Sequence, residues 1–467
     1  MKKLTAILFI ILAAVQAARA KDSMLPVRAG ISDNTFKTYV FDNVSFNNAS
    51  SLIIIDAQTG YKIHTEPSDN LLKAVFSDET FRLYIDGELK ARNVSGPVLI
   101  YSKEGCTEIT GLKRKGKQAC YRGYIELVQS SKMPSKFSIV NVLSLSDYLK
   151  GVVPNEMPVK FGLEALKAQA AAARNYAVAP RVKLYDEFNL CDSVECQVYF
   201  GANTESDLSN QAVDETDGII AVDRNKKPIL ALYSSTAGGY TESYSMTFSD
   251  PLTKAFPSEE IEHLSAVPDS PDFGTLETDE KAELFYMSAP EAFDDMSPYY
   301  RWDKEWTRQE LETVLNKTMP AQSKTGFITP AVNEGETIGR LISIRALERG
   351  VSGKIVKLEI KTDKNTYIVS KELVIRRCFQ KNGISLPSAN FVISYINAKT
   401  PVYKFNGGGF GHGCGMSQWG AGRMGQLGYK YDEILKHYYK GIELVQYEDI
   451  MKPKPFFEAS DEEKEAE

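Results

Sequence analysis

Between residues 25 and 140 the apolar positions come in short runs, "SLIIID", "FRLYIDG", "GPVLIYS", "GYIELVQ" and "FSIVNVLSL", separated by Gly, Asn, Asp and Ser. Runs of that length between turn residues predict an antiparallel β region. At "SLSDYLKGVVPNEMP" the character turns helical, and in residues 162–179 Leu163, Leu166, Ala170, Ala173 and Ala177 recur at threes and fours. This spacing predicts an amphipathic helix whose apolar face is small enough for another segment to approach its backbone closely. Arg174 lies at the border of that face, where a solvated helix charge is the plainest reading. Residues 211–245 read as two strands around the polar turn "DRNKKP", followed by a Gly-rich loop. Residues 250–300, acidic and proline-bearing without periodicity, read as a surface insertion. "RQELETVLNKTM" predicts a helix, "LISIRALERGVSGKIVKLEIKTDKNTYIVS" hairpin strands, and "YDEILKHYYKGIEL" a last helix after a second Gly-rich run.

The pattern is that of an α+β protein, a β-rich N-terminal region packed on a mixed α/β core with a substrate cleft. A chain of 467 residues suits one large domain or two packed ones. The expected organisation is a leader at 1–20, a β-rich region at 21–139, a core at 140–447 carrying the insertion near 250–300, and a solvated acidic tail at 448–467. The leader rests on "MKKLTAILFIILAAVQAARA", with two lysines, an apolar run and Ala-Arg-Ala, the pattern of a secretory signal cleaved after Ala20. Its removal takes away Lys2, Lys3 and Arg19, so the formal charge of -6 becomes -9. The apolar run is too short to span a bilayer, which leaves export as the only expected dealing with a membrane. With no basic face or tail, nucleic acid is not an expected partner.

A chain that meets an oxidising compartment uses cysteine for disulfides. Cys106 and Cys120 flank "TEITGLKRKGKQA" between two strand-like runs, which predicts a hairpin-closing disulfide. Cys191 and Cys196 in "CDSVECQVYFG" fit a small disulfide loop or half of a zinc site. No histidine lies between residues 180 and 200, and two thiolates do not fill a tetrahedral site, which weighs toward the disulfide.

Several chemistries can be set aside. The glycines at 407–415 hold no G-x-G-x-x-G register and no Gly-Lys-Ser/Thr follows, so a nucleotide cradle does not fit. "GMSQW" resembles a nucleophile elbow but has Trp419 where a second glycine belongs, which leaves a serine hydrolase built on Ser417 and His412 as a distant reading. No H-E-x-x-H or similar pair offers a zinc hydrolase. Two features remain. Glycine lets a backbone approach a ligand closely, so His412, Gln418 and Trp419 could wall a sugar site; equally, the run could be a tight loop with His412 satisfied by main chain. Glu156 stands between Pro154 and Pro158, which stiffen the backbone and set the direction of the carboxylate. Placed ahead of the alanine-rich helix, it is expected to feel the positive end of that helix's dipole, opposed by burial among Val153 and Met157.

Four blocks, "SLSDYLKGVVPNEMP", "EALKAQAAAARNYAV", "LYSSTAGGYTES" and "GGGFGHGCGMSQWGAGRMGQLGYKYDEILKHYYKGIEL", together resemble the SpoIID/LytB family of sporulation and amidase-enhancer proteins in order and spacing, across residues 140–445. The resemblance implies a lytic transglycosylase that cuts peptidoglycan glycan strands stripped of stem peptides. Glu156 falls on the family's catalytic glutamate, acting as acid and then base. Arg174 falls on the arginine of the alanine-rich helix, expected to meet the free lactyl carboxylate. Ser234, Ser235, Gly239, Tyr240, His412, Ser417, Gln418 and Trp419 fall on motif positions expected to line the glycan groove. The rival implied by the same resemblance is a glycan-binding enhancer of a cell-wall amidase. Some members hold zinc with two cysteines and a histidine near Cys191 and Cys196. Here Glu195 precedes the second cysteine and no histidine is near, so neither zinc nor any other cofactor is expected.

Overall fold

The computed structural model describes residues 25–47, 50–64, 71–179, 185–270 and 273–450. The leader at 1–20 and nearly all of the acidic tail lie outside these residues. The chain divides into two compact units, one running to Ile220 and joined by the segment from Val445, the other formed by Ala221–Leu444.

The first unit is built on two sheets. In the seven-stranded sheet, Pro26–Ile31, Phe137–Ser144, Tyr124–Gln129, Val98–Ser102, Leu52–Asp56 and Lys62–His64 pair antiparallel in that order. Leu190–Cys191 adds a parallel edge against Ala29 and Gly30. A six-stranded sheet holds Lys117–Tyr121, Thr107–Arg114, Asn43–Phe46, Leu72–Ser77, Thr80–Ile85 and Glu88–Val94. The Cys106–Cys120 disulfide ties the hairpin Thr107–Arg114/Lys117–Tyr121, as the spacing predicts. Phe137–Ser144 is buried along nearly its whole length, which fits its continuous apolar run. It leads straight into helix α1, Leu145–Glu156, where the Ser144 Oγ accepts from the Asp147 amide at 3.1 Å. Leu145, Tyr148, Leu149, Val152 and Val153 give α1 one buried stripe at helical spacing.

Helix α2, Leu163–Val178, buries Ala165, Ala168 and Ala170–Ala173 and packs on α1 and on α3, Asp207–Glu215. Residues 211–215, expected as strand, are the second half of α3: Ser206 caps it, its Oγ accepting from the Ser209 amide. That cap lies upstream of the stretch whose apolar residues suggested a strand.

In the second unit, Trp302–Thr307, Val402–Gly407 and Phe391–Ile396 form one antiparallel sheet. Ile328–Thr329, Thr366–Ser370, Ile355–Thr362 and Leu341–Arg349 form another. Its helices are α4 (Asp279–Met287), α5 (Arg308–Ser323), α6 (Glu372–Cys378), α7 (Gln418–Gln426) and α8 (Tyr431–Tyr438). Trp306, Leu311, Leu315, Leu358, Phe379, Phe391 and Phe405 share one core. Both units being mixed, the fold is α+β.

The stretch 250–300 is no mere surface insertion. Leu264, Val267, Leu276, Phe285, Tyr286 and Tyr300 are buried, and α4 packs on the strand Phe391–Ile396. The segment is mostly turns that insert side chains one at a time, so burial leaves no periodic trace. Among the described residues, no helix is long and apolar enough to cross a membrane.

Candidate functional site

Two groups of residues stand out, one in each unit. In the first, the prolines do two different things. Pro154 lies inside α1 and lacks the amide that would close a helical turn. Pro158 forces Met157 into an extended conformation, φ -122° and ψ 132°, which ends the helix at Glu156. Glu156 is therefore the last residue of α1, seven ahead of the start of α2. The expected dipole is thereby corrected in sign: the carbonyl end of α1, not the amide end of α2, is nearest in sequence, and it opposes a negative charge. Against it, the Val198 amide donates to the Glu156 Oε1 at 2.5 Å and favours the carboxylate. The side chain is half-buried, oriented yet accessible. Its neighbour Asn155 is fixed by donating to the Gly151 carbonyl at 2.7 Å and the Thr204 hydroxyl at 2.8 Å.

The segment that supplies Val198 also reaches α2. The Gln197 side chain donates to the Ala173 carbonyl at 3.3 Å and accepts from the Tyr148 hydroxyl at 3.3 Å. Next to Ala173, Arg174 is 2% exposed, so it is not a solvated helix charge. It donates to the Ile219 carbonyl at 3.0 Å and to the Val213 carbonyl of α3 at 3.4 Å. These bonds make Arg174 a brace between α2 and the end of α3.

Ahead of Gln197, Cys191 and Cys196 are not joined by a disulfide; their sulfurs share a hydrogen bond at 2.7 Å. Two sulfurs do not make a zinc site, and among the described residues no group of three or more His, Cys, Asp or Glu side chains that could hold a metal ion is found. Asp192 accepts from Arg114 at 2.7 Å and from the Ser32 amide at 3.1 Å, and Glu195 accepts from the Tyr185 hydroxyl at 3.3 Å.

In the second unit, "LYSSTAGGYTES" and the Gly-rich run are zipped together by main chain. Tyr233 and Ser234 pair in parallel with Met416 and Ser417. Thr236 and Phe410 exchange two backbone bonds, and the Trp419 amide donates to the Ser235 carbonyl at 3.1 Å. The glycines serve this closeness. A Cβ on Gly238 would lie 2.7 Å from the main chain of Gly408 and Gly409, and one on Gly415, at φ +74°, only 2.0 Å from the Leu232 carbonyl oxygen. Gly415→Ala is expected to lower the free energy of unfolding by roughly 2 to 3 kcal/mol, read as a shift of the urea midpoint.

His412 fits the loop reading more than the sugar-wall reading. Its Nδ1 accepts from the Cys414 amide at 3.1 Å, and the ring also bonds the main chain of Tyr233. Burial first, then Lys354 and Arg376, pulls its pKa down to about 3, so the ring is neutral. The buried Lys354 ammonium donates to the His412 carbonyl and, at 3.4 Å, to the Thr247 hydroxyl.

Ser417 is fully buried and caps α7, accepting from the Gly420 amide at 3.3 Å. Its hydroxyl donates to Asp294 Oδ2 at 3.2 Å, which removes the serine-hydrolase reading: the serine is inaccessible and its partner is a carboxylate. Ser234, Gly239, Tyr240 and Gln418 are likewise buried, whereas Ser235, His412 and Trp419 keep partial exposure. Beside them, the Phe410 and Tyr299 rings lie 4.3 Å apart between centroids, tilted by 30°, and are each 39% exposed.

Asp294 is a fully buried carboxyl at this junction and was missed in the sequence. Its Oδ2 also accepts from the Gly238 amide at 2.8 Å, while Oδ1 is buried with no hydrogen-bond partner among the described residues. Burial, with Asp269 adding repulsion, pushes its pKa up to about 7. Asp269 in turn meets His437 Nε2 at 2.8 Å and accepts from the Tyr438 hydroxyl at 3.0 Å. A hint lay in "EAFDDMSPYY", where an acid pair stands among apolar and aromatic residues.

A family model described as SpoIID, stage II sporulation protein, matches residues 133–222, which contain α1, α2, Glu156, Arg174 and both thiols. A second model, a domain of unknown function (DUF8618), matches residues 250–415. The amidase enhancer of Bacillus subtilis is 31% identical over 316 residues, 64% of this chain but only 40% of that protein. An uncharacterized protein of Brachyspira hyodysenteriae is 31% identical over 317 residues, 67% of this chain and 70% of its own length. The stage II sporulation protein D of Bacillus subtilis is 29% identical over 330 residues, 66% of this chain and 76% of that one. The chain belongs to the SpoIID/LytB family.

Proposed function

We propose that this protein is an exported lytic transglycosylase of the cell wall, cleaving peptidoglycan glycan strands that lack stem peptides. The observation that supports this most is Glu156: a half-buried carboxyl at the end of a proline-stopped helix, held by the Val198 amide at 2.5 Å. In this reading the Glu156 carboxyl protonates the glycosidic oxygen as the bond to the anomeric carbon breaks. The resulting carboxylate takes the proton of the C6 hydroxyl of the same muramyl residue, whose oxygen closes on that carbon. The product is a 1,6-anhydro end, and one carboxyl serves in both steps. No water enters, so the second carboxylate that activates water or acts as nucleophile in ordinary glycosidases has no task here.

The second reading is a glycan-binding enhancer of a cell-wall amidase, favoured by the name of the Bacillus relative matched over 64% of this chain. The two readings differ in a size and end-group assay on purified peptide-free strands. A transglycosylase shortens the strands without creating new reducing ends. An enhancer leaves strand length unchanged and raises the rate of an added N-acetylmuramoyl-L-alanine amidase on intact peptidoglycan.

A further inference from the structure

Cys191 and Cys196 have a placement that neither reading of the function uses. Cys191 is held rigidly: it lies in the strand Leu190–Cys191, paired to Ala29 and Gly30, and the next residue is the buried Asp192 bound to Arg114 and Ser32. Cys196 sits at the far side of a tight turn, its amide donating to the Ser193 carbonyl at 3.0 Å, and is half-buried. Two residues on, Val198 donates to Glu156, and between them Gln197 bonds α2. The turn thus links a fixed strand to the amide that orients the carboxyl.

We propose that Cys191 and Cys196 are a redox-active pair that closes a disulfide across the 191–196 turn, and that this bond fixes the Val198 amide against Glu156. The sulfurs at 2.7 Å need approach by well under an ångström to reach a bond length of ~2.0 Å. The chemistry is thiol–disulfide exchange with a small external disulfide. The accessible Cys196, as thiolate, attacks one sulfur of that molecule and expels its other half as a thiol. Cys191, as thiolate, then attacks the Cys196 sulfur and expels the second half. Two protein thiols and one disulfide thereby become one protein disulfide and two small thiols. In the reduced pair, the hydrogen bond shared with Cys196 outweighs burial and holds Cys191 down at about 6. The bond bears on Glu156 whichever reading of the function holds.

The test uses the full-length chain equilibrated with oxidised or reduced glutathione, then denatured, alkylated and mapped by mass spectrometry, with amide exchange of Val198 followed in both states. Under oxidised glutathione, Cys191 and Cys196 should escape alkylation and appear cross-linked, while Cys378 and Cys414, buried thiols elsewhere, stay alkylated. Val198 exchange should slow at least ~10-fold on oxidation, and a Cys196→Ser protein should show no redox dependence. Full alkylation of both cysteines under conditions that keep Cys106–Cys120 closed would overturn the proposal. So would a cross-link that leaves Val198 exchange unchanged, or one equivalent of zinc retained through dialysis with both thiols unreactive. None of these readouts requires catalytic activity, so they stand apart from the fate of the transglycosylase reading.

Discussion

Glu156→Gln is expected to cut strand cleavage by roughly 10³-fold, within the range that a positioned acid–base group contributes. The substitution changes little else. Glutamine keeps the shape and still offers an oxygen to the Val198 amide, so the end of α1 and the turn after Cys196 should be undisturbed. What it lacks is a proton that can be given and taken back. The melting temperature and the affinity for peptide-free strands are expected to match those of the parent protein. A Glu156→Gln protein retaining more than a tenth of the cleavage rate would remove Glu156 from the chemistry. If the amidase-enhancer reading is right, there is no cleavage to lose and stimulation survives the substitution.

The second large effect concerns Asp294 and pH. Its folded-state pKa is raised from 3.8 to about 7, with burial the first cause. Between these values the native protein holds a proton that the unfolded chain has lost, so the native state binds more protons and stability falls as pH rises. The stabilisation is complete below the unfolded value and is lost as pH climbs through the folded one. A shift of about 3 units corresponds to roughly 4 kcal/mol across that window. Asp294→Asn keeps an acceptor for the Gly238 amide and cannot ionise. Urea unfolding at pH 5 and pH 8 spans about two units of that window, so the variant should gain on the parent by roughly 2 to 3 kcal/mol at the higher pH. Parallel pH dependence in the two proteins would mean that Asp294 ionises without cost. Because Asp294 holds both Gly238 and Ser417, its ionisation is expected to loosen the junction of the two Gly-rich segments before the rest of the unit.

Five strands of the first unit were readable, Leu52–Asp56, Thr80–Ile85, Val98–Ser102, Tyr124–Gln129 and Phe137–Ser144, because their apolar runs end at turn residues, and α2 because its alanines recur at helical spacing. The fixed backbone at Glu156 was readable from the two prolines around it, although its dipole environment was not. Which helix a carboxyl terminates depends on where Pro158 stops the chain, and proximity to the alanine run pointed to the wrong helix. Arg174 was legible as a residue and not as a brace, since its acceptors are carbonyls about forty positions away. The glycine cluster was seen, but whether its glycines admit a ligand or another backbone depends on which segment lies against them. That segment is "STAGGY", some 170 residues earlier. Asp294 was hidden for the same reason: a buried acid in an aperiodic stretch looks like any surface acid until its neighbours are known.

The most direct test is to incubate the chain from Lys21 onward with purified peptide-free glycan strands and examine the new ends by mass spectrometry. A lytic transglycosylase acting through Glu156 yields 1,6-anhydromuramyl ends, one water lighter than the hydrolytic product, and these are absent with Glu156→Gln. Strands that stay intact, or ends that carry the added water, would contradict it.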